Sequence, residues 1–451
     1  TAIQPQPRFG FAWQPHMWGM QNTVVRGGIG IFYDAFPGAL LDGFSENPPL
    51  DPTFTVFGSP TSIISSPSDP ASLFASAAAS NAAFQAGFQS GASFSSISAT
   101  VPGFSPPNLA ASQNNPKVPQ YQKWSLEIER QFGANTSLDL QYVGNHGIHI
   151  YTQNSGINGC NVGGFTSLPA CNATSGFGVN PSFLTVDYAQ SSGVSNYNGL
   201  TAAFTHRYGT GLFQLNYSYS HALDTVSNSG IPADAYSNVN FTATNNSMVF
   251  PENPANPRQF NYGSSDYDAR HTLNANYIWE LPIKRYITRD HGPDALLRGW
   301  TVNGDFFART GTPYTLVDNG TTAALQATGY GSSGTLVNVF GNQIAAGGTG
   351  ANCMSTFAGT PQPNRGVCLN PADFTTSPAS FGNVTRNSLR GPSYWNSDFS
   401  LMKHTRIHER AEMVVGAQFF NVFNHPNFDA PRSEERRVGK ECINRWSAVH
   451  L

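Results

Sequence analysis

Hydrophobic and polar residues alternate along much of this chain with a period of two. In QKWSLEIERQ, Trp124, Leu126 and Ile128 fall on one side of an extended chain, and Ser125, Glu127 and Glu129 on the other. In GLFQLNYSYSHA, Phe213, Leu215, Tyr217 and Tyr219 alternate with Gln214, Asn216, Ser218 and Ser220. RHTLNANYIWE sets Leu273, Ala275, Tyr277 and Trp279 against Thr272, Asn274 and Asn276. NSDFSLMK sets Phe399 and Leu401 against Asp398 and Ser400. A strand sends successive side chains to opposite faces, so this period predicts strands with one apolar and one polar face. Helical spacing fits these stretches poorly.

About ten such strands are predicted, near 8–13, 22–34, 120–131, 135–150, 196–208, 211–222, 265–281, 297–310, 393–405 and 409–422. Their connections alternate in length. Short links fall at 14–21, 132–134, 209–210, 282–296 and 406–408, and long ones at 35–119, 151–195, 223–264 and 311–392. Short turns at one end and long loops at the other are the mark of an outer-membrane barrel. A soluble sandwich has no reason to sort its loops this way. The Ala/Ser-rich stretch 72–94 is open to two readings, a loop helix or a mobile segment.

Composition supports the membrane reading. Of 451 residues, 11% are charged, against roughly 25% in a typical soluble domain. Hydrophobic residues reach only 39% while aromatics reach 12%, so Asn, Gln, Ser, Thr and Gly have replaced charge. A polar lumen, a thin lipid-facing band and aromatic girdles require that mixture. The net charge of −3 gives no support to nucleic-acid binding. No apolar run of about 18 residues predicts a transmembrane helix. The start at Thr1, with no signal peptide in view, reads as an internal position of a longer protein.

Cys160 and Cys171 share one Gly-rich link, and Cys353 and Cys368 another. The spacing suggests two disulfides and an oxidising compartment, with four free thiols as the alternative. Cys442 is expected to be unpaired. Other motifs carry little chemistry. TVVRGGIGIFYD lacks the third glycine of a dinucleotide loop, since Tyr33 stands there, and reads as a strand whose glycines let neighbouring side chains pass closely. His404 and His408 fall at a predicted turn, and His146 and His149 in HGIH are similar; neither pair predicts a metal site. Asp266 and Asp268 could pose as a carboxylate pair, but read better as a rim with Arg270 as charge partner. NYNGL at 196–200 and the aromatic pairs at strand ends read as girdle residues. In FFNVFNHPNF, Phe419, Asn421 and Phe423 are expected on one strand face, with Pro426 ending the pairing. No catalytic residue, cofactor or metal is expected.

PRFGFAW (7–13), TVVRGGIGIFYD (23–34), NYNGLTAAFTHRY (196–208), FQLNYSYSHALD (213–224), DYDARHTLNANYIWELP (266–282), LRGWTVNGDFFARTGTPYT (297–315), NSLRGPSYWNSDFSLMK (387–403) and FFNVFNHPNF (419–428) occur in that order. Together they resemble the barrel of Oar-like TonB-dependent outer-membrane transporters, a type abundant in Acidobacteria. The resemblance covers most of the chain from 7 to about 431, apart from the long loops. It implies a parent protein with a carboxypeptidase-regulatory-like domain, a plug and a 22-stranded barrel, coupled through the plug to a TonB-type energy-coupling protein. It carries over neither catalytic nor ligand-binding residues, and leaves the substrate unknown. Ten strands of such a wall are an arc of roughly half a barrel, so the expected fold is all-β, antiparallel and open, with long extracellular loops; strained closure between 8–13 and 409–422 is the alternative.

The expected organisation is a partial barrel over 1–431 and a separate tail over 432–451. Eight of the last twenty residues are charged and the alternation stops. The tail resembles translated adapter read-through; a genuine basic tail is the other reading. Two rival functions remain at this point. One is a secreted or surface-exposed β-rich protein that binds envelope or glycan without transport. The other is a soluble β-barrel hydrolase, which lacks any nucleophile motif.

Overall fold

The computed structural model describes residues 3–34, 109–154, 186–225, 261–314 and 386–427, with breaks at 17–18, 288 and 409–410, and shorter pieces of the segments between them. Ten strands form one antiparallel sheet in chain order. They are β1 Arg8–Trp13, β2 Thr23–Tyr33, β3 Gln120–Phe132, β4 Thr136–Asn154, β5 Val186–Tyr208, β6 Gly211–Asp224, β7 His271–Leu281, β8 Trp300–Arg309, β9 Tyr394–His408 and β10 Ala411–Phe419. Two short strands join them. Leu109–Ser112 runs parallel to the start of β5, and Gly263–Ser264 pairs with the end of β6. The sheet is open: its path begins at β1 and ends at β10, and every residue of both edges is exposed.

The register carries the sequence alternation across the whole sheet. Val25, Ile128, Leu140, Ala202, Tyr217, Leu273, Ala308 and Trp395 stand opposite one another in turn, an apolar row over eight strands. One residue along, Arg26, Glu127, Gln141, Thr201, Ser218, Thr272, Arg309 and Tyr394 form a row on the other face. A slip of one residue in any strand would exchange the two faces, so this register is strongly specified.

Among the described residues no second layer covers the apolar face. Among the described residues only Tyr151, Ala189 and Leu389 are buried hydrophobics. Leu126, Ile128, Leu140, Leu200, Trp279 and Val415 are all exposed on that face. A water-soluble domain must bury such a face against another element. The glycines of β2 behave as expected: a Cβ at Gly27 would meet the Phe11 ring of β1 at 2.5 Å, so the ring lies across the glycine. Trp124 covers Gly144 in the same way.

Five details differ from the sequence expectation. β7 starts at His271, not 265, because Ser265–Arg270 folds into a turn closed by the Asp268 N–H on the Ser265 carbonyl at 2.9 Å. β10 ends at Phe419. Asn421 and Asn424 have φ of 47° and 49°, and asparagine tolerates that region. The Asn421 amide bonds the His425 N–H and carbonyl, both at 3.0 Å, so Phe419, Asn421 and Phe423 do not share a strand face. β9 runs on to His408, so 406–408 is strand and not the expected link, and His404 sits within β9 with Nδ1 3.1 Å from Glu412. The 282–299 link holds two short helices, α1 Ile283–Ile287 and α2 Asp294–Leu297. β4 and β5 extend past their expected ends, through a bulge around His149, whose φ is 59°.

In the 72–94 stretch residues 85–89 are helical. All five cysteines and the 432–451 tail lie outside the described residues.

Candidate functional site

The long links all leave from one end of the sheet. There the end of β6, the 261–270 segment and the 386–390 segment converge on a buried polar cluster. Arg386 is 7% exposed and lies at its centre. Its Nη2 pairs with the Asp224 carboxylate and donates to the Asp224 carbonyl at 2.9 Å; its Nε donates to the Asn261 carbonyl at 2.8 Å. Its Nη1 donates to Ser227 Oγ at 3.1 Å and lies 3.6 Å from Asp266. Asn387 Nδ2 donates to Asp266 at 2.6 Å and to the Ser264 carbonyl at 2.8 Å.

A second knot surrounds Asp268, whose side chain is fully buried. Arg390 pairs with Asp268 and donates to its carbonyl at 2.9 Å and that of Gly311 at 3.3 Å. Arg270 Nε lies 3.2 Å away. The Ala222 N–H donates to Asp268 Oδ1 at 2.8 Å. Arg270 Nη2 lies 3.1 Å from His221 Nε2, and His221 Nδ1 lies 3.2 Å from Asp268. A guanidinium can only donate, so Nε2 accepts and Nδ1 carries the proton given to Asp268. Burial pushes the Asp268 carboxyl up, but the Ala222 N–H, Arg390 and His221 together hold it below the ordinary carboxylate range. At Asp266 burial dominates and raises the carboxyl, against Asn387 and Arg386.

Asp266 and Asp268 therefore do not share a site; each sits in its own knot, and Arg270 is a charge partner of Asp268 as the sequence suggested. The sequence reading missed Asp224, His221, Arg386 and Arg390. The signal for the arginines was their spacing of four in RNSLRG, beside a motif already singled out. Within the cluster Ser227 Oγ accepts from Arg386 Nη1 and from the Asp266 N–H. The cluster's groups serve one another, and its geometry pins the ends of two long links to the sheet.

The NYNGL reading needs correction. Tyr197 stands opposite Asn145 and Ala222 on the polar face, not in a girdle on the apolar one. Gly199, next on that face, leaves room for the Tyr197 ring to lie along the strand. Rings do mark the top of the apolar face elsewhere. Tyr142 donates to Asn198 at 2.7 Å, Tyr217 bonds His271 at 2.7 Å, and Trp395 stacks on His425 at 4.1 Å. Tyr217, His271 and Trp395 themselves line a groove of about 530 Å3, with Leu273, Phe306 and Ala308. Among the described residues no group of three or more His, Cys, Asp or Glu could hold a metal, and no helix is long and apolar enough to cross a membrane.

A family model for an outer membrane beta barrel domain matches residues 3–441. No curated protein matches the chain in sequence. Similar solved structures include the outer membrane transporter YddB from Escherichia coli (TM-score 0.42, 9% identity, covering 93% of this chain and 37% of that one). The FrpB iron transporter from Neisseria meningitidis gives a TM-score of 0.38 at 10% identity, with coverages of 94% and 35%. The ferric enterobactin receptor PfeA from Pseudomonas aeruginosa gives 0.31 at 11%, with coverages of 92% and 36%. The chain spans little more than a third of these proteins.

Proposed function

The chain belongs to the outer membrane beta barrel domain family, and from that premise we propose that it forms part of the wall of a TonB-dependent transporter of the Oar-like type. The apolar face meets lipid, the polar face lines the lumen, and the long links are extracellular. The wall itself catalyses nothing. Transport of its substrate is driven by a TonB-type protein acting through a plug carried elsewhere in the parent protein. Support comes from the ordered motifs, the alternation of short and long links and the composition.

One observation carries the reading: an apolar face spanning ten strands with only three buried hydrophobics among the described residues. At about 25 cal/mol per Å2, leaving that face in water would forgo most of the drive to fold. A bilayer supplies the missing apolar layer. Its cost is that unpaired backbone groups at β1 and β10 must find partners, which the remaining strands of a complete barrel provide.

The test is to express this chain alone and within its parent protein. The parent should give a heat-modifiable species in detergent and substrate uptake that stops when TonB is deleted. The chain alone should aggregate or be degraded. Channels formed in a planar bilayer by the chain alone would contradict the reading.

Within the long links, Cys160–Cys171 and Cys353–Cys368 are proposed as disulfides. Peptide mapping of the unreduced protein should recover both cross-linked pairs, and alkylation of all four thiols without reduction would rule them out.

A further inference from the structure

The polar face is not uniform. On β2 and β3 it is charged and self-neutralised: Arg26 bonds Glu127 and Glu129, each at 2.9 Å. On β6 to β9 it changes to amides, hydroxyls and rings in three aligned rows. The upper row is Ser218, Thr272, Arg309 and Tyr394; the middle row is Asn216, Asn274, Phe307 and Asn396; the lower row is Gln214, Asn276, Asp305 and Asp398.

Two rings stand within these rows. Phe307 has Asn274 directly opposite on one side and Asn396 on the other. Its ring meets Tyr394 edge-on at 5.9 Å, and the Arg309 guanidinium lies over Tyr394 at 5.7 Å. Asp398 is partly satisfied, by the Asn396 amide at 3.0 Å and the Asn421 N–H at 2.8 Å. Asn276 bonds Asn274, and Ser400 below bonds Asn303 at 2.6 Å. Gln214, Asn216 and Thr272 make no side-chain hydrogen bond with the described residues, and the first two are exposed. Four strands at ~4.8 Å and three rows at ~6.8 Å give a patch of roughly 14 Å by 14 Å, the scale of about two to three linked sugar rings.

Each amide offers two donors and an acceptor, a set that fits neighbouring hydroxyls. Rings offer an apolar surface at low entropic cost. One arginine against two aspartates leaves little net charge, which disfavours strongly anionic or cationic ligands. An extended peptide would seek backbone partners, and the backbone groups here are already used within the sheet. We propose that this zone of the polar face is a binding platform for a neutral oligosaccharide. Phe307 and Tyr394 stack on the apolar faces of the sugar rings, and Asn216, Asn274 and Asn396 bond their hydroxyls.

The proposal rests on the transporter reading only in placing the platform along a passage. Its test is calorimetry on the detergent-solubilised parent protein with cellotriose, xylotriose and maltotriose, and with trialanine as the peptide comparison. At least one trisaccharide should bind saturably. Phe307→Ala should weaken it tenfold or more, Phe307→Trp should retain it, and Arg26→Ala should leave it unchanged. Heat-modifiable migration confirms that each variant folds; Asn396→Ser replaces any that does not, with the same tenfold loss expected. Binding of none of the three sugars, indifference to Phe307→Ala, or binding of trialanine instead would overturn the platform. Sugar binding without TonB-dependent uptake would retain it and sink the transport reading.

Discussion

The two ends of the sheet are held by different physics. At the short-turn end the backbone does the work. Tyr208 passes to Gly211 through two residues, and Gly209 takes a φ of 53° that glycine adopts freely. The charges there lie mostly toward solvent, such as Arg298 3.4 Å from Asp294. At the long-link end, three aspartates, three arginines and a histidine knit segments up to 162 residues apart. A tight turn holds its strands by geometry alone. A long link gives no such constraint, so its anchorage must come from side chains that reach across the rim.

The largest effect should come from breaking the rim. Arg386→Met leaves Asp224 buried without its partner and should cost about 3–5 kcal/mol, the usual penalty for a buried ion pair cut on one side. A thermal melt in detergent, read by the loss of heat-modifiable migration, would detect it. At the other end, Gly209→Val should cost about 1–2 kcal/mol, because a branched residue must adopt a left-handed conformation. Equal losses for the two would erase the contrast.

The rim should also respond to acid, in a way that separates its two knots. The Asp268 carboxyl is held low, so its contribution is present above the unfolded value of about 3.9 and is lost as pH falls through the folded one. The Asp266 carboxyl is raised, so ionising it costs stability as pH rises through its folded value. Asp268→Asn should therefore destabilise at neutral pH, with the deficit shrinking toward pH ~3. Asp266→Asn should be neutral or slightly stabilising at neutral pH. Melts of both variants between acid and neutral pH measure this. The smallest effect belongs to Arg26→Ala, whose surface pairs with Glu127 and Glu129 are screened by solvent.

The same contrast explains what the sequence could reveal. Strand positions and the sorting of links were legible because alternation is local: Phe213 to Tyr219 declares its two faces without reference to any other segment. The rim was only half legible. Asp268 and Arg270 lie two residues apart, so their pairing could be read directly. Arg386 and Asp224 are brought together by the fold alone, and nothing near either residue announces the other. The FFNVFNHPNF stretch misled because Phe and Asn alternate there as in a strand, while the two left-handed asparagines use the same spacing to turn the chain back onto Trp395. Tyr197 misled because composition marks a ring at a strand end but not the face it takes.

The central claim is that one face of this sheet meets lipid and the other lines a polar passage. Nitroxide labelling along β6 tests it most directly, with each residue from Phe213 to Tyr219 in turn replaced by cysteine in a cysteine-free, membrane-embedded protein. Labels at 213, 215, 217 and 219 should relax with oxygen dissolved in the bilayer, and those at 214, 216 and 218 with a water-soluble nickel complex. A profile with no period of two, or all seven labels open to the nickel complex, would contradict the account.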